Sequence, residues 1–159
     1  MSHNKDWGGK KPKYTPRNPH KYLGDPDNIV IRSTWERTAF AFCDNNINIL
    51  AWSSEDIVIQ YLKPVFSPDG KIRTKLSKYY PDLYVEYVNP KGEVIKELIE
   101  IKPKKQTRIS RARNYTTNLY ENMVYAVNLA KWDAARKWCA QHGIIFKTVT
   151  EDSLFKKTV

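Results

Sequence analysis

Pro81-Asp82-Leu83-Tyr84-Val85-Glu86-Tyr87-Val88, the cluster Asn89-Pro90-Lys91-Gly92, and Val94-Ile95-Lys96-Glu97-Leu98-Ile99-Glu100-Ile101-Lys102 decide how this chain is read. Two β-rich runs flank turn-forming residues, so a hairpin is expected with arms over 83–88 and 94–101. Period two puts Glu100 and Lys102 on one face of the second arm, about 6.5–7 Å apart. In an antiparallel pair the start of the first arm lies near the end of the second, which brings Asp82 toward both. Two carboxylates and an amine would then meet at one end of a sheet. Hard carboxylate ligands suit Mg²⁺, with Mn²⁺ the alternative ion. A metal so held polarises a phosphoryl oxygen and acidifies a bound water, and a neighbouring Lys stabilises charge on the phosphate. Asp82 and Glu100 are thus candidate metal ligands and Lys102 a candidate catalytic cation. The bland alternative is a strand start at Asp82 and a charge pattern on a solvated face. Glu86 and Glu97 are expected to face each other across the hairpin.

Upstream, Trp35, Ala39, Phe42, Cys43 and Asn46 recur at helical spacing, predicting a helix over 34–45 with Trp35 and Phe42 in the core. Ser33-Thr34-Trp35-Glu36 also fits a capping box at its start. Ile47 to Trp52 and Ile57 to Leu62 read as strands opening an antiparallel meander, followed by turn chemistry at Pro64 and Ser67-Pro68-Asp69-Gly70. Downstream, 115–130 and 131–142 read as two helices, with Trp132, Trp138 and Cys139 as core and Gly143 as the stop. Ile144 to Val149 reads as a last strand. Helix, strands, hairpin, helices and strand predict an α/β fold, a mixed central sheet flanked by helices. Residues 1–28, rich in Gly, Pro, Asn and Lys, read as a basic, flexible arm, 29–155 as the domain and 156–159 as a tail.

The chain has 159 residues, with 27 Lys and Arg against 17 Asp and Glu, and a formal charge of +10. One compact domain is expected, since about 150 residues bury roughly 68–70% of their unfolded surface. No run approaches the ~18–20 apolar residues of a membrane span, and the N-terminus lacks the pattern of an export signal. Cys43 and Cys139 sit in helix-like patterns and read as reduced, buried thiols of a cytoplasmic protein. Three scattered histidines give zinc little support. The basic balance attracts polyanions, nucleic acid first among them. Lys71, Arg73, Lys75 and Lys78 precede the hairpin, ending at Tyr79-Tyr80. Lys102, Lys104, Lys105, Arg108, Arg111 and Arg113 follow it without one acidic residue. Both runs are candidate phosphate contacts, with the tyrosines candidate stacking platforms. No helix-turn-helix or other base-reading element is apparent, so phosphates and duplex shape would be read rather than sequence.

Pro81-Asp82 followed by Glu100-Ile101-Lys102 resembles the PD-(D/E)XK signature of restriction-endonuclease-like nucleases. In that superfamily a helix before the sheet usually carries a further Glu near the metal, a role the resemblance assigns to Glu36. Lys131-Trp132-Asp133-Ala134-Ala135-Arg136-Lys137-Trp138-Cys139, with Gly143, Phe146 and Thr150-Glu151, resembles the end of the TnsA-like transposon endonuclease domain. From about residue 11 to 155 the chain is similar to the head completion nucleases of contractile-tailed bacteriophages. The resemblance implies a restriction-endonuclease-like fold and Mg²⁺-dependent DNA hydrolysis leaving 5′-phosphate and 3′-hydroxyl ends. It implies an endonuclease, with exonuclease action as a further activity. Its partners would be DNA and phage head, neck or tail proteins, and its place the host cytoplasm during assembly and then the virion. Two other readings are a non-catalytic DNA-binding head or neck protein on a nuclease scaffold, and an RNA-binding protein.

Overall fold

The computed structural model describes residues 10–154. Two short strands, β1 (Lys13–Tyr14) and β2 (Ile29–Val30), pair antiparallel around a 3₁₀ turn at Pro19–Lys21, and α1 (Thr34–Asn45) follows. β3 (Ile49–Ser54), the pair β4 (Ile59–Phe66) and β5 (Ile72–Tyr79), β6 (Leu83–Val88) and β7 (Val94–Ile101) come next. A 3₁₀ turn at Lys104–Thr107, the long α2 (Tyr115–His142), β8 (Ile145–Val149) and α3 (Glu151–Leu154) complete the described fold. The central sheet has four strands in the order β3-β6-β7-β8. Its first pairings are antiparallel and β7-β8 is parallel, so the sheet is mixed, as expected.

Alternation along β6 sends Leu83 and Val85 into a core with Ala39, Phe40 and Cys43 of α1 and Trp52 of β3. Leu98 of β7 points the other way, into a second core with Ala135 and Cys139 of α2 and Ile59, Tyr61 and Tyr79 of the β4-β5 pair. Helices therefore cover both faces of the sheet. The hairpin runs in the expected register, except that Glu97 lies opposite Val85 and Glu86 opposite Lys96. Glu86 and Glu97 do not face each other; Tyr84 and Tyr87 donate hydroxyl hydrogen bonds to them.

Several expectations need correction. The residues 47–62 do not open a meander, because β3 pairs with β6 while β4 pairs only with β5 in a separate two-stranded sheet. Pro64 lies within β4, where an edge strand tolerates its missing N–H. Residues 115–142 form one helix, closed by Gly143 in the left-handed conformation. The buried face of α1 is Glu36, Ala39, Phe40, Cys43 and Asp44. Phe42 is 57% exposed, and Trp35 is half-buried. Trp132 and Cys139 are core as expected, with Trp138 packed at the edge of the second cluster.

Of the expected flexible arm, residues 1–9 lie outside the described residues, as does the 156–159 tail, while 10–28 are folded onto the domain. Their anchor is Asp44. Its carboxylate accepts hydrogen bonds from the Tyr14 hydroxyl at 2.8 Å and the Arg17 and Asn18 N–H groups at 2.7 and 2.9 Å. Lys21, only 9% exposed, donates to the carbonyls of Cys43, Asp44 and Asn46, capping the C-terminus of α1. Both cysteines are free and buried, and burial pushes their thiols up to about 12 at Cys43 and about 11 at Cys139. Among the described residues no helix is long and apolar enough to cross a membrane.

Candidate active site

Asp82 immediately precedes β6, and its Oδ2 accepts the N–H of Ile101 at 2.7 Å. That bond fixes the carboxylate against the end of β7, next to Glu100, as the hairpin geometry requires. Glu36 reaches the same place from the first turn of α1. Ser33 Oγ accepts the Glu36 N–H at 3.1 Å, and Glu36 Oε2 accepts the N–H of Arg32 at 2.8 Å. The capping arrangement is therefore real in part, with the Glu36 carboxylate reaching one residue beyond the cap. It also leaves that carboxylate beside Asp82.

A third carboxylate, absent from the sequence-based site, is Glu55. It follows β3 in a left-handed turn at φ 50°, donates its N–H to the Asp82 carbonyl at 3.3 Å, and pairs with Arg32 at 2.7 Å. Carboxylate oxygens of Glu36, Glu55 and Asp82 all lie within 4.8 Å of one another. Burial raises Asp82 well above the ordinary carboxylate range, and Glu100 and Glu36 add to the rise against the Ile101 N–H and Lys102. Burial also raises Glu36, with Glu55 adding to it, and raises Glu55 in spite of Arg32. Crowded oxygens that resist ionisation are what a divalent cation relieves, and an all-oxygen set suits Mg²⁺ or Mn²⁺. The residues present fit such an ion.

Glu100 sits beside this trio and is only 2% exposed. Its Oε2 accepts the Tyr79 hydroxyl at 2.7 Å, and its Oε1 lies 3.2 Å from Lys102 Nζ. The shared face expected for Glu100 and Lys102 is thus an ion pair. Tyr79 is buried in this contact, which rules it out as a stacking platform; Tyr80 is exposed. Burial and then Glu100 hold the Tyr79 hydroxyl far above its usual range, so it stays a donor. On α2, Lys131 places Nζ 5.5 Å from the centre of the Tyr79 ring. Burial, with Lys102 and Lys63 nearby, lowers its pKa against the pull of Glu100 and Asp82.

The basic runs divide among three places. Arg73, Lys75 and Lys78 are exposed on β5, and Lys71 is exposed in the turn before it. Lys104 and Lys105 lie on the 3₁₀ turn after β7, Lys104 paired with Asp152 at 2.8 Å. Arg108, Arg111 and Arg113 are exposed on the way to α2.

Residues 46–151 match the family model of the TnsA-like endonuclease N-terminal domain. This chain belongs to that family. The matched span holds Glu55, Asp82, Glu100, Lys102 and Lys131, and leaves Glu36 ahead of it. This TnsA-like chain is also 36% identical over 148 residues to the head completion nuclease of Enterobacteria phage T4, covering 89% of this chain and 91% of that protein. The mixed sheet between helices agrees with the restriction-endonuclease-like architecture expected of a TnsA-like domain. No solved structure gives a significant match.

Proposed function

We propose that this chain is a divalent-metal-dependent deoxyribonuclease that cuts phosphodiester bonds of phage DNA during head completion, before head and tail join. The observation that carries this reading is the meeting of Glu36, Glu55 and Asp82 within 4.8 Å, beside the Lys102–Glu100 pair. Asp82, Glu36 and Glu55 would hold the ion, and Glu100 keeps spare lone pairs to join them. Bound there, Mg²⁺ supplies a polarised phosphoryl oxygen and a water of lowered pKa. Lys102, kept in place by Glu100, neutralises charge gathering on the phosphate and orients the attacking water. Tyr79 locks Glu100 by its second oxygen. The exposed cations of β5 and of the segment before α2 track the DNA backbone, giving affinity without sequence preference. The relative's name supports the setting in head completion, which implies head, neck or tail proteins as partners.

The test is nicking of supercoiled plasmid. Wild type should nick with Mg²⁺ and stop with EDTA, whereas Asp82→Ala and Lys102→Ala should lose nicking while melting cooperatively with unchanged circular dichroism. Cleavage retained by both folded variants overturns the assignment. DNA binding without cleavage in the wild type would instead support a structural DNA-binding protein on this scaffold.

A further inference from the structure

Lys131 is the feature of the site that the reaction so far leaves unused. It is half-buried on α2, and its Nζ lies over the ring of Tyr79, whose hydroxyl is bonded to Glu100. Among the described residues no carboxylate lies within ion-pair distance of it, although Glu100 binds Lys102 a short way off. Register places a partner nearby. Ile59 pairs with Tyr79, and Lys63 with Lys75, so by period two Tyr79, Lys63 and Lys75 share one face of the β4-β5 pair. The base of that face, at Ile59, Tyr61 and Tyr79, packs on α2. Farther out it carries Lys63, Lys75 and Arg73 with Val65, while the opposite face carries Leu62, Leu76, Phe66 and Ile72 with Lys78.

Three of the four β4-β5 cations thus share the face whose base, at Tyr79, bonds to Glu100, and Lys78 alone lies among the apolar groups of the other face. A desolvated ammonium without a carboxylate, near two further lysines, is costly unless an anion completes it.

We infer that Lys131 and Lys63 form a second phosphate-binding site, distinct from Lys102, which takes a backbone phosphodiester of the DNA strand next to the one being cut. This rests on the nuclease reading for its location, but its ligand chemistry can be tested without cleavage. A site of this kind holds the strand on the α2 side while Lys102 and the carboxylates engage it from the sheet. The strand is thereby fixed at two successive points, which orients the bond for attack.

The test is binding of a fluorescent DNA duplex in EDTA, followed by anisotropy over a series of salt concentrations. Each phosphate contact contributes about −0.9 to the slope of log K against log salt. Lys131→Met keeps the stem packed on Tyr79 and removes the charge; its slope should be shallower by about 0.9. Lys131→Arg should restore the wild-type slope, a rescue that a packing role would not predict. Lys63→Gln, on an exposed strand position, should give a similar loss and remains informative even where the core variant melts. A wild-type slope and affinity in folded Lys131→Met, or in Lys63→Gln, overturns the proposal. Failure of wild type to nick plasmid with Mg²⁺ would sink the nuclease reading alone, since these slopes are measured without metal.

Discussion

Glu36 performs two tasks that a single substitution separates. Its carboxylate accepts the Arg32 N–H at the start of α1 and also stands within reach of Asp82 and Glu55. Glu36→Gln keeps an oxygen for the N–H but removes a buried charge that two neighbours repel. Its melting temperature should therefore equal or exceed that of metal-free wild type, while Mg²⁺-dependent nicking falls at least about tenfold, the cost of losing even an outer partner of a metal. Glu36→Ala should lose about 1 kcal/mol of stability as well, because the helix start loses its acceptor. Asp82, Glu100 and Lys102 were legible in the sequence because strand alternation and a hairpin turn fix their relative places. Glu55 was not, since it stands at a positive φ beyond a strand end, where no period exists to carry it. Lys131 was hidden differently: one Lys in a helix gives no sign of which face it shares or what lies opposite.

The segment before α1 shows how an element can be held without any periodic signal. It is tied to the Asp44 carboxylate, to the carbonyls of Cys43, Asp44, Asn46 and Trp52, and through the Tyr22 hydroxyl to the Ser54 N–H, and none of these leaves a periodic pattern in residues 10–28. Asp44→Ala would strand two backbone N–H groups and the Tyr14 hydroxyl, so a loss of about 3–5 kcal/mol is expected in urea unfolding. Burial alone would raise the Asp44 pKa, but the bonds from Arg17, Tyr14 and Asn18 outweigh it and hold the carboxyl below its usual range. Its stabilisation is thus complete above the unfolded value, about 3.9, and is lost as pH falls through the lower folded one. The β5 strand escaped notice for a related reason. Of its eight residues only Tyr79 is buried, so Ile72-Arg73-Thr74-Lys75-Leu76-Ser77-Lys78 reads as a charge run. The long α2 divides in sequence because its buried residues, Asn128, Trp132, Ala135 and Cys139, leave the first thirteen residues of the helix without one.

Over the whole molecule, the raised carboxylates at the site make metal and pH interchangeable sources of stability. In the metal-free protein Asp82, Glu36 and Glu55 bind protons more tightly than in the unfolded chain. Between the ordinary carboxylate range and their raised values, stability from this site therefore falls as pH rises. Mild acidification from neutral pH should raise the melting temperature relative to an Asp82→Asn control, until the loss at Asp44 reverses the trend. At neutral pH, Mg²⁺ at about a hundred times its dissociation constant should add about 2.7 kcal/mol. For a chain of this size that is on the order of 5–10 °C in melting temperature, absent in Asp82→Asn. The mixed sheet has one more consequence. β7, which bears Glu100, has β6 on one side and β8 on the other, and the Lys102 N–H bonds to the Val149 carbonyl at 2.9 Å. Because β8 follows α2, a chain divided between Arg113 and Asn114 would part β7 from its parallel neighbour, and neither fragment alone is expected to nick plasmid. One carries the acidic groups on an unfinished sheet, and the other carries Lys131 and the missing strand. Fused to two proteins that associate, such halves would make DNA nicking a permanent record of that meeting.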